Sequence, residues 1–598
     1  MKTNLKAIAS LVLVSAVSAG YAQTAPAPTH HKHHYRKAEH KPSIESQIQE
    51  LQEQMDQQRN QINTLQQQLD QRTEQLQQAQ TAAQQAQTAA QQAQAAASQQ
   101  QQQLTDNAQA VTSLQGSVAD LKASNEHVVA TVHKAEANVA KMVEHPDEIH
   151  YKGVTISPHG SFIEGATVYR NKATGSGIAT PFTSIPVNGA DNAQLSEFEG
   201  SGRQSRLALK VTGRTPHATI GAYYEMDWLG AGVTSNNNQS NSYVLRVRQI
   251  WGQAHLDDGF IFTAGQMWSL ATETSNLLDN GTEVLPGDID PNYNAGFVWA
   301  RQFGFRVVKD FSKNLAFGIS AEGAQTLIPT CQAAGGTAAC PKNYLIGQTG
   351  TGGGLYPSTS TYSYNQAPDF VAKVTYQNRF AHYEAFGIAR FFRDRVYPTS
   401  GSATGAYNDS MAVGGIGGGA RFHIVPKKFD VAIKGLYGEG IGRYGDSTIA
   451  DTTVRPDGQL APLHGFSALG EIVGHASPRF DYYVDYGADY AGRRYFATDS
   501  GYEGYGVPNV NNTGCNTEAS GSSDAGTTPA GAANCGGNTK DVQELSVGFN
   551  YYFYKGGYGQ LREGIQYSYA QRNLWGGIGG SPNANDNIVE TSFRYYLP

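Results

Sequence analysis

The chain has almost no long apolar runs. One run, from Ala7 to Val17, follows Lys2 and Lys6 and precedes a series of small residues. A basic start, a short apolar centre and small residues are the layout of a secretory signal peptide, which we predict over residues 1–22. Elsewhere no apolar run approaches the ~18 residues that a membrane-spanning helix needs, so no transmembrane helix is predicted.

Cysteine is also scarce, with four residues in a chain of 598. Cys331 and Cys340 form one local pair, and Cys515 and Cys535 form another. Two close pairs in a secreted chain predict two disulfide bridges, each closing one loop. Four free thiols are the alternative, because spacing alone does not establish bridge geometry.

Charged side chains make up only 16% of the chain, and the formal net charge is −7. This balance gives no indication of a nucleic-acid partner. No set of Ser, His and carboxylate residues and no cluster of metal ligands is brought together by the predicted strand positions. The glycine run GGIGGGAR at 414–421 lacks the Lys-Ser/Thr pair of a phosphate-binding loop. We therefore predict no enzymatic activity and no cofactor or metal.

The residues that are abundant differ between the two parts of the chain. Residues 40–145 are rich in Gln and Ala, whereas residues 151–598 hold nearly all of the Tyr, Phe, Trp and Gly. Residues 23–42 precede the Gln-rich part and contain the basic stretch HHKHHYRKAEHK. Such a stretch predicts a solvated, flexible segment, with a histidine metal site as the weaker alternative.

A heptad pattern runs through residues 43–145. Positions taken alternately four and three residues apart from Ile44 hold mostly Ile, Leu, Val and Ala for about fourteen repeats. The repeat QTAAQQAQTAAQQAQ at 80–94 keeps the same register with Ala at the seam, which favours helix over a prion-like tract. The pattern predicts a coiled coil and therefore an oligomer, and the mixed seam leaves two and three strands both open.

From Tyr151 onward a period of two residues replaces the helical period. In DVQELSVGFNYYFY at 541–554, apolar and aromatic residues occupy one face and polar or small residues the other. Aromatic-rich segments of about ten residues or more with this pattern are typical of membrane β-strands. We predict sixteen of them, at 154–169, 201–212, 217–229, 242–256, 259–270, 295–309, 314–325, 366–377, 380–396, 410–424, 428–441, 463–476, 479–496, 541–555, 558–575 and 585–597.

Short turns alternate with long loops between these segments, and the longest loops are 271–294, 326–365, 442–462 and 497–540. In lipid a sheet has to close on itself, because an open edge would leave backbone groups unpaired. An even strand number with short turns at one rim and long loops at the other predicts an outer-membrane barrel. The predicted fold over residues 151–598 is thus an all-β, sixteen-stranded antiparallel transmembrane barrel with a water-filled bore.

A signal peptide, a coiled coil and a sixteen-stranded barrel together resemble the DcaP-like porins, which are trimeric outer-membrane channels related to the phosphate-selective porins O and P. The resemblance covers nearly the whole predicted mature chain by architecture, without a long diagnostic motif. It implies a homotrimer, a coiled coil located in the periplasm, and a pore that passes small anionic solutes.

The alternation also predicts which side chains face the bore. In YVLRVRQIWG, it places Leu245, Val247 and Trp251 against lipid and turns Arg246 and Arg248 inward. The same rule gives the inward basic set Arg206, Lys210, Arg246, Arg248, Arg390, Arg421, Arg493, Arg562, Arg572 and Arg594, and the inward acids Glu384, Asp481, Asp485, Asp489 and Glu590. Arginine stays charged and holds carboxylate or phosphate through two hydrogen bonds, so the basic set is predicted to contact anions. The alternative is that these residues pair with inward carboxylates and only stiffen the wall.

The loop after the fifth predicted strand, TETSNLLDNGTEVLPGDIDPNYN, is predicted to fold into the bore, as loops at this position do in general porins. Its acids Glu283, Asp288 and Asp290, together with Glu273 and Asp279, would oppose the arginines across a constriction. DIDPN also resembles a calcium loop but lacks the remaining spacing of an EF-hand, so calcium binding is the weaker alternative.

The predicted function is passive diffusion of small polar, preferentially anionic solutes through a pore in the lipid bilayer of the outer membrane. The second hypothesis is a structural tether. In that case the basic segment and the coiled coil would reach the cell wall, and the barrel would serve mainly as an anchor.

Overall fold

The computed structural model describes residues 121–122, 124–133, 148–230, 244–328, 332–333, 344–345, 365–399, 402–499, 501–518, 528–529 and 534–598. The predicted signal peptide, the basic segment, most of the coiled coil, and Cys331 and Cys340 lie outside these residues. Within the predicted coiled coil, residues 121–122 and 124–133 are helical. No helix among the described residues is long and apolar enough to cross a membrane.

Sixteen strands of the described chain form one barrel. Two of them are interrupted: β1 consists of Val154–Ser157 and Phe162–Arg170, and β2 consists of Glu197–Ser201 and Arg206–Arg214. The others are β3 (Ala218–Gly230), β4 (Val244–Leu256), β5 (Phe260–Trp268), β6 (Arg301–Ser312), β7 (Leu315–Glu322), β8 (Asp369–Gln377), β9 (Ala381–Val396), β10 (Tyr407–Val425), β11 (Phe429–Glu439), β12 (His464–Ser477), β13 (Phe480–Ala491), β14 (Thr539–Gly556), β15 (Gly559–Leu574) and β16 (Asn583–Tyr596).

Shorter elements accompany the barrel. The additional strands are Ile149–Tyr151, Gln332–Ala333, Tyr344–Leu345, Thr452–Val454, Leu460–Pro462, Arg494–Thr498 and Gly501–Tyr505. The 3-10 helices are Phe182–Ser184, Asp191–Gln194 and Gly442–Tyr444. Most of these elements belong to the loops that connect the barrel strands.

The barrel closes on itself through antiparallel pairing. Each strand pairs with the next along the chain, and β16 pairs with β1 from Ile588↔Arg170 to Tyr596↔Phe162. Closure leaves no free sheet edge, as a barrel in lipid requires. The predicted sixteen-strand antiparallel barrel is therefore confirmed.

Most strand ends agree with the prediction to within a few residues, and β6 is an exception. Its predicted start at 295 is wrong, because residues 295–300 belong to a loop packed inside the bore and β6 begins at Arg301. β13 ends at Ala491 rather than at 496, since the residues after it form a separate hairpin, Arg494–Thr498 with Gly501–Tyr505.

The two rims of the barrel differ in the length of their connections. Seven turns of a few residues, which follow the even-numbered strands from β2 to β14, lie at one rim. The long connections lie at the other. They include L1 (171–196, after β1), L3 (269–300, after β5), L6 (440–463, after β11) and L7 (492–538, after β13).

Side chains alternate between the outside and the inside of the barrel. Outward positions are exposed and mostly apolar, as for Ile163, Phe303, Phe305, Ile433 and Tyr486. The positions between them are buried and include most of the charged residues of the strands. The barrel thus has an apolar outer belt and a polar interior, which is the reverse of a soluble β-barrel.

Trp251 lies inside the barrel, so its predicted lipid-facing position is wrong. A β-bulge next to Gln249 adds one residue to β4 and reverses the alternation beyond that point. Ile250 takes the outward position and is 50% exposed, whereas Trp251 is 6% exposed. Arg246 and Arg248 remain inward, as predicted.

Loop L3 fills one side of the bore. Its apolar residues pack on inward-facing apolar residues of β5 to β11 in a continuous core comprising Ile261, Leu270, Ala271, Leu277, Leu278, Val298, Ala300, Val308, Ala316, Val371, Phe386, Ile388, Leu436, Ile441 and Tyr444. Burying one leucine or isoleucine side chain stabilises the folded state by about 1.5–3 kcal/mol. Because L3 buries several such side chains, it is a stably packed part of the structure. The space for solvent is left on the opposite side, next to β1–β4 and β12–β16.

Candidate functional site

A cavity of about 420 Å³ lies in the side of the bore that L3 leaves free. Its walls come from β1, β2, β4, β6 and β12–β16, and part of its floor is the segment Leu285–Tyr293 of L3. Its charged lining consists of Arg206, Arg246, Arg248, Arg301, Arg562 and Arg594 with Glu164, Asp288, Asp290 and Asp481. This is the charged region of the bore in which a solute would meet the protein.

Three of the lining arginines are paired with two carboxylates of β3. Arg246 and Arg248 reach Asp227 at 2.7 and 2.9 Å, and Arg248 also donates a hydrogen bond to Glu225. Arg206 lies 3.3 Å from Glu225. Arginines 206, 246 and 248 therefore form an ion-pair network on the β2–β4 wall, as in the alternative prediction, with one positive charge more than its two carboxylates balance.

Arg594 connects the barrel wall to L3. Its Nη2 donates hydrogen bonds to Glu164 at 2.6 Å and to the backbone carbonyl of Ile289 at 2.9 Å. The side chain of β16 thus holds the part of L3 that forms the cavity floor. Because Arg594 is paired with Glu164, little of its positive charge is available to a solute.

Two lining arginines have no carboxylate partner among the described residues. Arg562 contacts the Tyr552 hydroxyl at 3.4 Å and lies over the Tyr596 ring. Arg301 forms no described hydrogen bond or ion pair, and its Nη1 is buried without a partner. These two guanidinium groups are the lining arginines without an ion-pair partner among the described residues.

Arg301 was not predicted as a pore residue. Strict alternation with Phe303 and Phe305 would place it on the lipid side, because all three share one parity along β6. As the first residue of the strand it is instead drawn into the bore, where its guanidinium lies 5.1 Å from the Trp268 ring and 5.6 Å from the Trp299 ring. The nearby tryptophans of L3 and β5 are the only sequence signal that could have identified it.

The other predicted arginines lie away from the cavity. Arg390 is fully buried against Asp369 and Asp451, at 3.1 and 2.7 Å. Arg421 is paired with Glu273 and Glu471, each at 2.7 Å. Both belong to the side of the bore filled by L3 and L6, and they act there as structural ion pairs.

Three predicted basic residues lie near the rims. Arg572 donates hydrogen bonds to Thr539 Oγ1 at 2.9 Å and to the Ile185 carbonyl of L1 at 3.2 Å. Arg493 is in L7, where it lies over the Trp575 ring at 4.5 Å. Lys210 is exposed and does not line the cavity. The first two residues hold loops, and none of the three contributes charge to the cavity.

The acids predicted for the constriction occupy different environments. Asp288 and Asp290 line the cavity, whereas Glu283 does not and accepts a hydrogen bond from the Gly281 amide at 2.9 Å. Burial raises the pKa of Glu283 and of Asp290, and it raises the pKa of Asp288 well above its ordinary value with the help of the nearby Glu544 charge. Within the described residues, no group of three or more potential ligands is arranged to hold a metal ion.

Carboxylates of the wall hold the backbone of L3, a role that the sequence did not reveal. Glu322 accepts the amide of Leu270 at 2.8 Å. On the opposite wall, Glu544 accepts the amide of Ala295 at 3.0 Å. Glu384 and Asp489 make equivalent bonds to Thr274 at 2.9 Å and Gly296 at 3.0 Å. Several inward acids are therefore anchors for L3, which fixes the shape of the cavity.

One predicted disulfide is present in the described residues. Cys515 and Cys535 form a bridge in L7, with an S–S distance of 2.08 Å. Both cysteines are buried against apolar residues of L1, including Val187 and Ala190, and Gly189 of L1 donates a backbone hydrogen bond to the Cys515 carbonyl at 2.8 Å. The bridge thus supports the contact between L1 and L7. The other predicted pair, cysteines 331 and 340, lies outside the described residues.

No protein-family model and no curated protein sequence matches the chain. Among solved structures, the crystal structure of the outer membrane channel DcaP of Acinetobacter baumannii is similar with a TM-score of 0.49 and 13% identity, over 75% of this chain and 99% of that one. The porin OprB of Pseudomonas putida gives a TM-score of 0.39 and 8% identity, over 76% and 96%. An anion-selective porin from Comamonas acidovorans gives 0.36 and 11%, over 74% and 98%.

Proposed function

We propose that the protein is an outer-membrane channel for the passive diffusion of small polar solutes, with a preference for anions. The observation that carries the proposal is the cavity inside the closed barrel, where Arg301 and Arg562 have no carboxylate partner among the described residues. A positive charge fixed in the bore lowers the electrostatic barrier for anions and raises it for cations.

The outer surface of the barrel supports the membrane location. Its exposed side chains are largely aromatic and aliphatic, as for Phe198, Phe303, Phe305, Ile416 and Ile433. In water such a belt would be an association site, whereas in lipid it is the expected outer face of a spanning barrel. A lipid-facing arginine would cost about 2–4 kcal/mol near the bilayer centre, which is consistent with the inward position of the strand arginines.

The anion preference is tested by replacing Arg301 with glutamine. A unit charge about 4 Å from an ion contributes about 1 kcal/mol in water, or about fivefold, and acts on chloride and potassium with opposite signs. We therefore expect the chloride-to-potassium permeability ratio to fall at least about fivefold. Reversal potentials of the purified protein in planar bilayers under a KCl gradient measure this ratio. Arg214→Gln is the matched control, because Arg214 lies at the short-turn rim in an exposed pair with Asp257.

Two results would contradict this proposal. The first is a wild-type pore that prefers potassium to chloride. The second is an Arg301→Gln variant whose permeability ratio equals that of Arg214→Gln.

The proposal includes a homotrimer joined by the coiled coil over residues 43–145. In the described helical residues, the seam positions Leu121, Val128 and Val132 are exposed, as expected for a helix considered without its partners. Deleting residues 43–145 is expected to convert the oligomer into single barrels that still conduct. The mass of the purified protein in detergent measures the oligomeric state, and bilayer recordings measure conduction. If the deletion left the oligomer mass unchanged but abolished attachment of the envelope, the tether hypothesis would be favoured instead.

A further inference from the structure

The cavity also contains a partly accessible acid, Asp290, that has no ion-pair partner among the described residues. Asp290 lines the cavity and is half-buried. Its side chain has one described partner, the backbone amide of Asn292 at 3.4 Å, and no described cation within ion-pair distance. Of the other lining acids, Glu164 is paired with Arg594 at 2.6 Å and Asp481 with His475 at 2.6 Å. Asp288 is buried and accepts a hydrogen bond from the Asn294 side chain, so it is less accessible than Asp290. Asp290 is thus the acid available to a cationic group in the cavity.

Arg301 is the corresponding cation, and its surroundings orient it. The Trp268 and Trp299 rings lie 5.1 and 5.6 Å from the guanidinium carbon, so cation–π contacts hold the group at the wall of the cavity that it lines, where its Nη1 has no partner. Trp299 is itself held by a hydrogen bond from its indole N–H to Asp446 at 2.6 Å. A guanidinium fixed in this way is suited to hold a carboxylate through two parallel hydrogen bonds.

Tyr293 is a further polar residue of the same cavity. It lies in L3, lines the cavity, and its hydroxyl has no described hydrogen-bond partner. Burial raises the pKa of Tyr293 to about 12, with a further contribution from Asp290, and Arg301 opposes the rise. The phenol is therefore within the electrostatic influence of both groups, and it lines the same cavity as they do.

We propose that this cavity selects small zwitterionic amino acids, with the solute carboxylate on Arg301, the ammonium group on Asp290, and the Tyr293 hydroxyl as a further hydrogen-bonding group. A simple anion satisfies only the first contact, and a simple cation only the second. The volume of about 420 Å³ lies within the range typical of small-molecule sites. The inference rests on the proposed channel function, because the solute reaches the cavity through the bore.

Block of the chloride current distinguishes zwitterions from anions. The probes are two matched pairs that differ only in the amino group: alanine with propionate, and 4-aminobutyrate with butyrate. In wild-type protein at neutral pH, we expect each amino acid to halve the current at a concentration about fivefold lower than its deaminated partner, because it makes one additional charge contact.

Variants assign the two contacts. Asp290→Asn is expected to abolish the difference within each pair and leave the block by propionate and butyrate unchanged, whereas Arg301→Gln is expected to weaken the block by all four solutes. Asp457→Asn, at an exposed position of L6 that does not line the cavity, is the matched control and should behave as wild type.

Equal block by both members of each pair in the wild-type protein would overturn the proposal, and this comparison needs no variant to fold. An unchanged difference in Asp290→Asn would also overturn it. A purified protein that carries no ion current at all would instead contradict the proposed channel function.

Discussion

Replacing Glu273 with glutamine is expected to lower the free energy of unfolding by about 3–5 kcal/mol, the usual cost of removing one partner from a buried ion pair. Glu273 begins L3 and lies 2.7 Å from Arg421 and 2.6 Å from Lys434. Glu471 is the second acid of this four-charge cluster, at 2.7 Å from each base. The substitution leaves two buried cations with one carboxylate. Chemical denaturation in detergent micelles, followed by tryptophan fluorescence, measures the change.

The pH dependence of stability provides a second measurement of the same cluster. Burial acts to raise the pKa of Glu273, but Lys434 and Arg421 outweigh it and lower the pKa to about 2. A carboxyl with a depressed folded-state pKa stabilises the protein fully above its unfolded pKa, about 4.3, and loses this contribution as the pH falls towards 2. Wild-type protein should therefore lose stability over this interval, and Glu273→Gln should lose less.

The matched control for this prediction is Asp257→Asn. Asp257 pairs with Arg214 at 2.6 Å, but both side chains are about half exposed, at 48% and 58%. Surface pairs of this kind contribute about 0–1 kcal/mol, so the control should remain close to wild type. If Glu273→Gln were no less stable than Asp257→Asn, the cluster would not anchor L3.

Replacing Gly487 with valine is expected to reduce single-channel conductance and to lower stability by about 1–3 kcal/mol, the typical cost of overpacking. Gly487 faces inward on β13, and a Cβ at this position would collide with the carbonyl of Ala295 in L3. Since Ala295 is also bonded to Glu544, L3 has to shift away from the β13 wall. L3 lines the cavity, so a shift away from this wall would narrow it.

Gly470→Val is the matched control for the effect on conductance. Gly470 lies on the neighbouring strand β12, and a Cβ there meets nothing closer than the Tyr486 carbonyl at 3.8 Å. Its conductance and stability should therefore match those of the wild type. Single-channel recordings of both variants decide the matter, and equal conductance in Gly487→Val and Gly470→Val would show that L3 does not depend on this contact.

The barrel could be predicted from the sequence because residues along each strand alternate between apolar side chains that face lipid and polar or small side chains that face the bore. This rule gave the strand number and the inward position of Arg206, Arg246 and Arg594. It did not predict the bulge in β4. In the stretch QIWG, apolar residues occupy both the odd and the even positions, so the sequence does not show where the alternation changes. Trp251 was assigned to the wrong side for that reason.

The candidate site was less predictable than the fold, since alternation gives the direction of a side chain but not its partner. Whether Arg248 is free depends on Glu225 and Asp227, which belong to another strand. Arg301 was missed because the first residue of a strand does not have to follow the parity of the rest. Asp489 was predicted to face inward, but its hydrogen bond to L3, like that of Glu544, depends on a loop conformation that strand patterns do not describe.

The one-sided filling of the bore has a consequence for protein engineering. Inner-wall residues of β5–β11, such as Val371 and Ile388, are buried in the core that L3 covers, so changes there would alter folding yield rather than current. The charged cavity is lined from the opposite half and by one segment of L3. Anyone tuning this molecule as a sensing nanopore would therefore work from that half alone and treat the other as scaffold.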